Sequence, residues 1–174
     1  MRSSRPFARP WRCWGERAVA NLSKYEEFAS SLEMIDDDEM RFEYIIDLGK
    51  RHSEEAAFPE EDKTDANLMH GCMSRVWIVD EVDAEGRHHF RGSSDAIIVN
   101  GLVAMMTESF SGLTGEELQA LTEDQVRRLN LGALTTQRQV GMMAMLKHMQ
   151  KLGRGGGRRA SGRDSDGVSR AYSS

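Results

Sequence analysis

Hydrophobic residues recur at helical spacing in two segments near the start of the chain. The first stripe contains Tyr25, Phe28, Leu32 and Ile35. Ser23 and Glu26 have the spacing of a capping box, so we predict a helix over about residues 24–34. Aspartates at 36–38 favour a second helix N-terminus through the helix dipole. We predict that this second helix ends near Arg51, and its core-facing stripe is Phe42, Ile45, Ile46 and Gly49.

The middle of the chain changes from a polar segment to a strand pattern. Residues 52–66 are acidic, contain Pro59 and lack periodicity, which predicts a surface loop. The β-branched and aromatic run RVWIVDEV (75–82) is followed by DAEG and then by RHHFRG (87–92). This pattern predicts an antiparallel hairpin with Gly86 in its turn.

Helical spacing returns in the second half. Ser94 or Asp95 is placed to cap a helix whose apolar stripe is Ile97, Ile98, Gly101, Leu102, Met105 and Met106. Short helices are predicted after Thr114, with Glu117, and after Thr122, with Gln125.

A last helix is predicted from about Thr136 to Gly153. Its predicted core-facing residues are Val140, Met143, Leu146 and Met149 or Gln150. Helices flanking a small antiparallel sheet make the predicted fold class α+β.

Composition indicates one domain between two unusual ends. The chain has 174 residues, of which 39% are hydrophobic, enough for a single core. Residues 1–20 form a basic leader, which is disordered or results from a mistaken start codon. Residues 154–174, rich in Gly, Arg and Ser, are predicted to be a disordered tail. With net charges of +4 and +3 on these ends and −5 on the whole chain, residues 21–153 carry −12, which disfavours nucleic acid as a partner.

The leader also bears on location. It resembles an organelle transit peptide, it lacks the apolar core of a secretory signal, and the chain has no run of about 20 apolar residues that would span a membrane. Cys13 and Cys72 are the cysteines of the whole sequence, so a disulfide framework is improbable and a reducing compartment is expected. We therefore expect a cytoplasmic protein, or an organellar one if the leader is a true transit peptide.

Cys72 is the main candidate for chemistry, and two interpretations of it are open. Cysteine is among the most buried residue types, which favours an inert core side chain. However, Cys72 follows Gly71 at the junction of a loop and a strand, where the thiol could swing outward, and His70 and Arg75 could favour the thiolate.

A cysteine hydrolase would need an imidazole base beside the thiol. His70, His88 and His89 are the candidates, although a position on the solvent face of a strand is the simpler explanation for the hairpin histidines. A zinc or iron-sulfur site is poorly supported, because the folded region has one cysteine and no C-x-x-C pair.

Four motifs occur along the chain, and the Gly-Cys-x-Ser-x-Val-Trp core of the second is a specific signal. They are FEYIIDLGK at 42–50, N-x-x-x-G-C-x-S-x-V-W at 67–77 and G-x-S-D-A-x-I-V-x-G-L at 92–102, and L-T-x-x-R-x-x-G at 134–141 completes the set. With them the chain strongly resembles the SufE family of sulfur acceptors over about residues 22–153.

The resemblance implies an α+β fold shared with iron-sulfur scaffold proteins, and a defined role. SufE-like proteins take sulfane sulfur from the persulfide of a cysteine desulfurase of the SufS or CsdA type and pass it to a scaffold complex of the SufBCD type. Cys72 matches the acceptor cysteine. The desulfurase carries pyridoxal phosphate, and no cofactor or metal is expected on this chain, nor a nucleic-acid or membrane partner.

The resemblance also implies that Gly71, Asp95 and Arg138 face the partner. The simpler explanations are a helix N-cap for Asp95 and a first-turn surface position for Arg138. Cys72 is expected to be tucked inward between encounters, with Met73 packing around its turn. The alternative function is a stand-alone cysteine-dependent enzyme, a thiol hydrolase or transferase.

Overall fold

The computed structural model describes residues 22–56, 58–129, 134–155 and 158–159. The predicted leader lies outside these residues, as does the predicted tail except for residues 154–155 and 158–159. The elements in chain order are α1 (Ser23–Glu33), α2 (Asp38–Glu55), a 3-10 turn (Glu60–Asp62), β1 (Val76–Val82), β2 (Arg87–Ser94), α3 (Ile97–Phe110), β3 (Leu113–Thr114), α4 (Gly115–Ala120), α5 (Glu123–Arg128), α6 (Thr136–Gly155) and β4 (Arg158–Arg159).

The predicted hairpin is confirmed and forms the centre of the sheet. Strands β1 and β2 pair antiparallel, with Val76 opposite Ser94 and Val82 opposite His88. Gly86 occupies the turn with φ of 76°, in the left-handed region that glycine adopts without strain. The sheet order is β3-β2-β1-β4, in which β3 is antiparallel to β2 and β4 is parallel to β1. Together with the helices, this sheet confirms the α+β class.

Helix α3 runs through the core and packs against α2, β2, α1 and α6. Nearly every residue along it is buried, including Leu102, Val103 and Met105. A helix that is apolar all round is typical of a central position, because each of its faces meets another element. Among the described residues, no helix is long and apolar enough to cross a lipid bilayer.

The predicted helix starts are confirmed in part. The Asp37 side chain caps α2 by accepting a hydrogen bond from Met40 N at 2.9 Å. The capping boxes of Thr114 and Thr122 are both present. The Ser23 capping box is wrong, because α1 begins one residue earlier with Leu22 as its N-cap. The Glu26 carboxylate is instead bound by Arg128 of α5 at 2.8 Å.

Other predicted boundaries and faces need correction. Helix α2 extends to Glu55, four residues beyond the expected end, and α6 extends to Gly155. The predicted face of α6 is wrong at Val140, which is 57% exposed. The residues of α6 that are buried are Gly141, Met142, Met145, Leu146 and Met149. Met142, Met145, Leu146 and Met149 belong to the hydrophobic core, so the core-facing side of α6 runs along these residues rather than through Val140.

Candidate functional site

Cys72 lies at the tip of a hairpin-like loop that leads into β1. Met69 N donates to Val76 O at 2.8 Å, and Ile78 N donates to Asn67 O at 3.0 Å. These bonds close the base of the segment, and residues 70–75 form the tip beyond it, which we call the cysteine loop. Gly71 has φ of 103°, a conformation in which other residues are strained.

The far end of the cysteine loop is bonded to the segment before α3. The Arg75 N–H donates to Asp95 Oδ1 at 3.1 Å, and Ser94 Oγ donates to Arg75 O at 2.8 Å. The guanidinium of Arg75 also lies 5.1 Å from the centre of the Trp77 ring. The predicted capping of α3 by Ser94 or Asp95 is therefore wrong, since the N-cap is Ala96 and the Asp95 carboxylate is bonded to the loop.

The thiol of Cys72 rests against helix α6. A Cβ placed on Gly141 would stand only 3.0 Å from Cys72 Sγ, and one placed on Gly71 would stand 3.2 Å from the Ala144 side chain. The cysteine loop therefore lies directly on α6, and Cys72 is half-buried there.

A cavity of about 300 Å³ opens beside the thiol. Its walls come from the cysteine loop, the start of α3 and the first turns of α6. The lining residues are Cys72, Met73, Ser74, Ala96, Ile98, Val99, Leu102, Thr135, Gln137, Arg138, Gly141 and Met145. The cavity is largely apolar, with Arg138 as the charged side chain in its wall.

The pKa of the Cys72 thiol is shifted in the direction opposite to the one expected from its neighbours in sequence. Burial raises the pKa of Cys72, which favours the protonated thiol. The expectation that His70 and Arg75 would favour the thiolate is wrong for this conformation, because burial dominates. Among the described residues, no group donates or accepts a hydrogen bond at the thiol. The resting thiol is therefore in its less nucleophilic form.

Two of the three histidines considered as bases are hydrogen-bonded elsewhere. Nδ1 of His88 bonds to the Asp80 carboxylate at 2.8 Å inside the sheet, and Nε2 of His89 bonds to Asp83 at 2.8 Å. His70 is exposed on the cysteine loop. Within the part of the chain that the structure describes, no histidine is hydrogen-bonded to Cys72, and no cluster of three or more His, Cys, Asp or Glu is arranged for a metal ion.

The structure gathers the other predicted site residues around one loop. Arg138 lies in the cavity wall, half-buried, with its guanidinium 5.4 Å from the Phe42 ring. Gly71 and Asp95 hold the two ends of the cysteine loop. The expectation that Met73 packs around the turn is wrong, because this residue is 84% exposed.

Sequence reasoning missed the role of two contacts on α6. In the sequence, Gly141 stands out only as the last residue of the L-T-x-x-R-x-x-G motif, and no pattern marks Ala144. Their importance comes from their position under the cysteine loop, which lies about 70 positions earlier in the chain.

Comparison with known proteins agrees with the motifs and the fold. Residues 26–153 match the model of the SufE family, described as a Fe-S metabolism associated domain. The chain belongs to the SufE family. An uncharacterized SufE-like protein of Rhizobium etli is 33% identical over 142 residues, covering 79% of this chain and 93% of that protein.

Two further relatives are also SufE-like proteins. An uncharacterized SufE-like protein of Rhizobium meliloti is 30% identical over 77% of this chain and 97% of its own length. One from Synechocystis is 35% identical over 66% of this chain and 70% of its own length. The SufE-family assignment confirms the resemblance drawn from the sequence and connects this protein with iron-sulfur metabolism.

Proposed function

We propose that this SufE-family protein accepts sulfane sulfur from a cysteine desulfurase as a persulfide on Cys72 and relays it to an iron-sulfur scaffold. The observation that carries the proposal is the position of Cys72, on a loop that is closed at its base by backbone hydrogen bonds, and beside an apolar cavity. Movement of a loop can bring a thiol into another protein's active site, and a cavity suits a sulfur that must be sheltered afterwards.

The transfer step is a displacement at sulfur. The Cys72 thiolate attacks the terminal sulfur of the donor persulfide, a new S–S bond forms on Cys72, and the donor cysteine leaves as a thiolate. The Cys72 proton is lost to solvent before the attack. The rate of such an exchange depends on the thiolate fraction of the attacking group and on access to it.

The resting conformation of the cysteine loop limits both the thiolate fraction of Cys72 and access to its thiol. Burial raises the pKa of Cys72 and half-covers Sγ, so binding of the desulfurase must favour a conformation in which the thiol is exposed. The apparent affinity is reduced by the fraction of molecules in the competent conformation. In return, a free thiol tucked against α6 is less accessible to oxidants.

The cavity is suited to the state in which Cys72 carries the transferred sulfur as a persulfide. A persulfide extends Sγ by about 2 Å, and the cavity of about 300 Å³ beside the thiol has room for one added sulfur atom. Its wall contains Arg138, whose positive charge favours an anionic terminal sulfur. We assign Arg138, Gly71 and Asp95 to the surface that meets the partner.

The identity of the partners follows from the same proposal. The donor is a cysteine desulfurase of the SufS or CsdA type, which supplies its own pyridoxal phosphate, and the recipient is a SufBCD-type scaffold. The net charge of −12 on residues 21–153 argues against nucleic acid. A cytoplasmic site for this exchange remains a prediction from cysteine usage.

The deciding experiment is intact mass spectrometry of the full chain after incubation with a cysteine desulfurase and cysteine. Cys72 is expected to gain one sulfur, and desulfurase turnover is expected to rise because transfer vacates the donor cysteine. Cys72→Ser should abolish both effects, whereas Cys13→Ser should preserve them. A Cys72→Ser variant that stimulates sulfide release as well as the wild type would refute the acceptor assignment, and chemistry without any desulfurase would favour the stand-alone enzyme.

A further inference from the structure

Gly141 lies in the second turn of α6, where its backbone does not need glycine. Glycine inside a helix is less stable than alanine because it loses more conformational freedom on folding. Its presence at this position therefore calls for a steric reason. The Cys72 sulfur provides one, since Sγ stands 3.0 Å from the point where a Cβ at Gly141 would lie.

The contact at Gly141 differs from those at Gly49 and Gly101, where two helices cross. A Cβ on Gly49 would meet Ile97 O at 2.2 Å, and one on Gly101 would meet Ile45 O at 2.1 Å, both of them backbone atoms in helices. Among the described residues, a Cβ on Gly141 would meet the end of one side chain, that of Cys72. A methyl group there displaces the thiol rather than the helix.

The cysteine loop makes a second contact with α6, at Ala144, about one turn after Gly141. The Gly71 backbone lies against Ala144, with 3.2 Å between the Ala144 Cβ and an ideal Cβ on Gly71. The cysteine loop therefore rests on α6 at two points, and the sulfur rests on the one that has no side chain. The depth of Sγ is determined at Gly141.

We propose that Gly141 is a positioning residue, whose missing side chain provides the seat on which the Cys72 sulfur is sheltered, and which sets the balance between the sheltered and the exposed thiol. Its biological meaning rests on the proposed function, but the geometry is a property of the free protein. A methyl group at position 141 would stand 3.0 Å from Sγ, so the sulfur or the cysteine loop must move away by a few tenths of an ångström. We expect this movement to expose the thiol and to reduce the burial that raises its pKa.

The test measures the rate of iodoacetamide alkylation as a function of pH in the full chain, with Cys13→Ser as background. Gly141→Ala is expected to alkylate faster than the parent and to shift the midpoint of the pH profile downward. Each pH unit of that shift raises the thiolate fraction about tenfold at neutral pH. Gly155→Ala is a control at the end of the same helix, since no atom of the described residues lies within 4 Å of its added Cβ. A parental rate and midpoint in Gly141→Ala would overturn the proposal.

Melting temperatures give an independent measurement through a double-mutant cycle. In a Cys72→Ala background the sulfur is absent, so a methyl group at position 141 meets no sulfur atom and the helix gains the higher propensity of alanine. Gly141→Ala is therefore expected to raise the melting temperature more in that background than in the parent. A variant that folds only in the Cys72→Ala background supports the proposal too. Equal effects in both backgrounds, or failure to fold in both, would show that Gly141 serves helix packing alone and would overturn it.

A desulfurase assay separates this inference from the proposed function. Gly141→Ala is expected to lose a loaded sulfur to a small reductant faster than the parent does. If the alkylation results hold but the parent protein never gains sulfur, the proposed function fails while the positioning role of Gly141 stands.

Discussion

Asp95 illustrates how one carboxylate acquires its role from a distant neighbour. Its position before an apolar stripe predicts a helix cap, and the family resemblance implies a partner-facing residue. In the folded chain Asp95 Oδ1 accepts from the N–H of Arg75, at the end of the cysteine loop. It therefore ties the loop to the start of α3, and its loss should be felt first at Cys72.

Asp95→Ala is expected to increase the alkylation rate of Cys72 in the free protein. The substitution removes one bond that holds the cysteine loop down, and an exposed site limits the loss of stability to about 1 kcal/mol. Asp95→Asn should behave like the wild type, because the amide oxygen can still accept from Arg75 N. The alkylation rate of Cys72 and the free energy of unfolding in urea would be measured for both variants.

Asp47→Ala provides a control for the loss of a surface carboxylate, since Asp47 pairs with Lys50 on the exposed side of α2. It should change neither quantity appreciably. An Asp95→Ala variant with wild-type alkylation and weaker desulfurase binding would instead assign the residue to the partner interface alone.

At the scale of elements, the cavity depends on how closely α2 and α3 cross. Gly49 and Gly101 allow backbone contact between the two helices, because a Cβ on either would overlap the other helix's backbone. This crossing fixes α3, whose residues Ile98, Val99 and Leu102 line the cavity. The position of the cavity wall beside the thiol therefore depends on the contact between α2 and α3.

Gly101→Ala is expected to lower the free energy of unfolding by about 1–3 kcal/mol or more, since the overlap is with backbone that cannot rotate away. Urea denaturation would measure the loss. Gly155→Ala, at an open position of α6, serves as the control and should be close to neutral. An unchanged midpoint for Gly101→Ala would mean that α2 and α3 are not in backbone contact.

At the scale of the whole molecule, the site is assembled from three separated parts of one domain. The cysteine loop, the start of α3 and the first turns of α6 all lie between residues 70 and 145. The SufE-family match covers residues 26–153 and includes all of them. The contacts of Cys72 described above all lie within this match.

A protein that lacks residues 1–20 is accordingly expected to gain sulfur from a desulfurase at the wild-type rate and to melt at the same temperature. Mass spectrometry and thermal denaturation of the shortened and full chains would compare them. A slower transfer by the shortened chain at unchanged melting temperature would assign a role in partner binding to the leader.

Much of this protein can be predicted from the chain alone, because much of it depends on local spacing. Apolar periodicity, the Asp37 and threonine caps and the Gly86 turn involve residues within a few positions of one another, and they predict the α+β fold. Such local features are specified before any long-range contact forms. The acceptor role proposed for Cys72 rests instead on the resemblance of its motif to the SufE family.

Tertiary contacts decide the properties that determine how Cys72 works. The seat at Gly141, the bond between Asp95 and Arg75, the exposure of Met73 and the raised pKa of the thiol all depend on residues that lie 20 or more positions apart or on burial between elements. Periodicity shows that α6 has a buried face but cannot show that a loop lies on Gly141 and leaves Val140 in solvent. The chemistry of the thiol follows from that packing, since desolvation depends on what surrounds a group rather than on its neighbours in sequence.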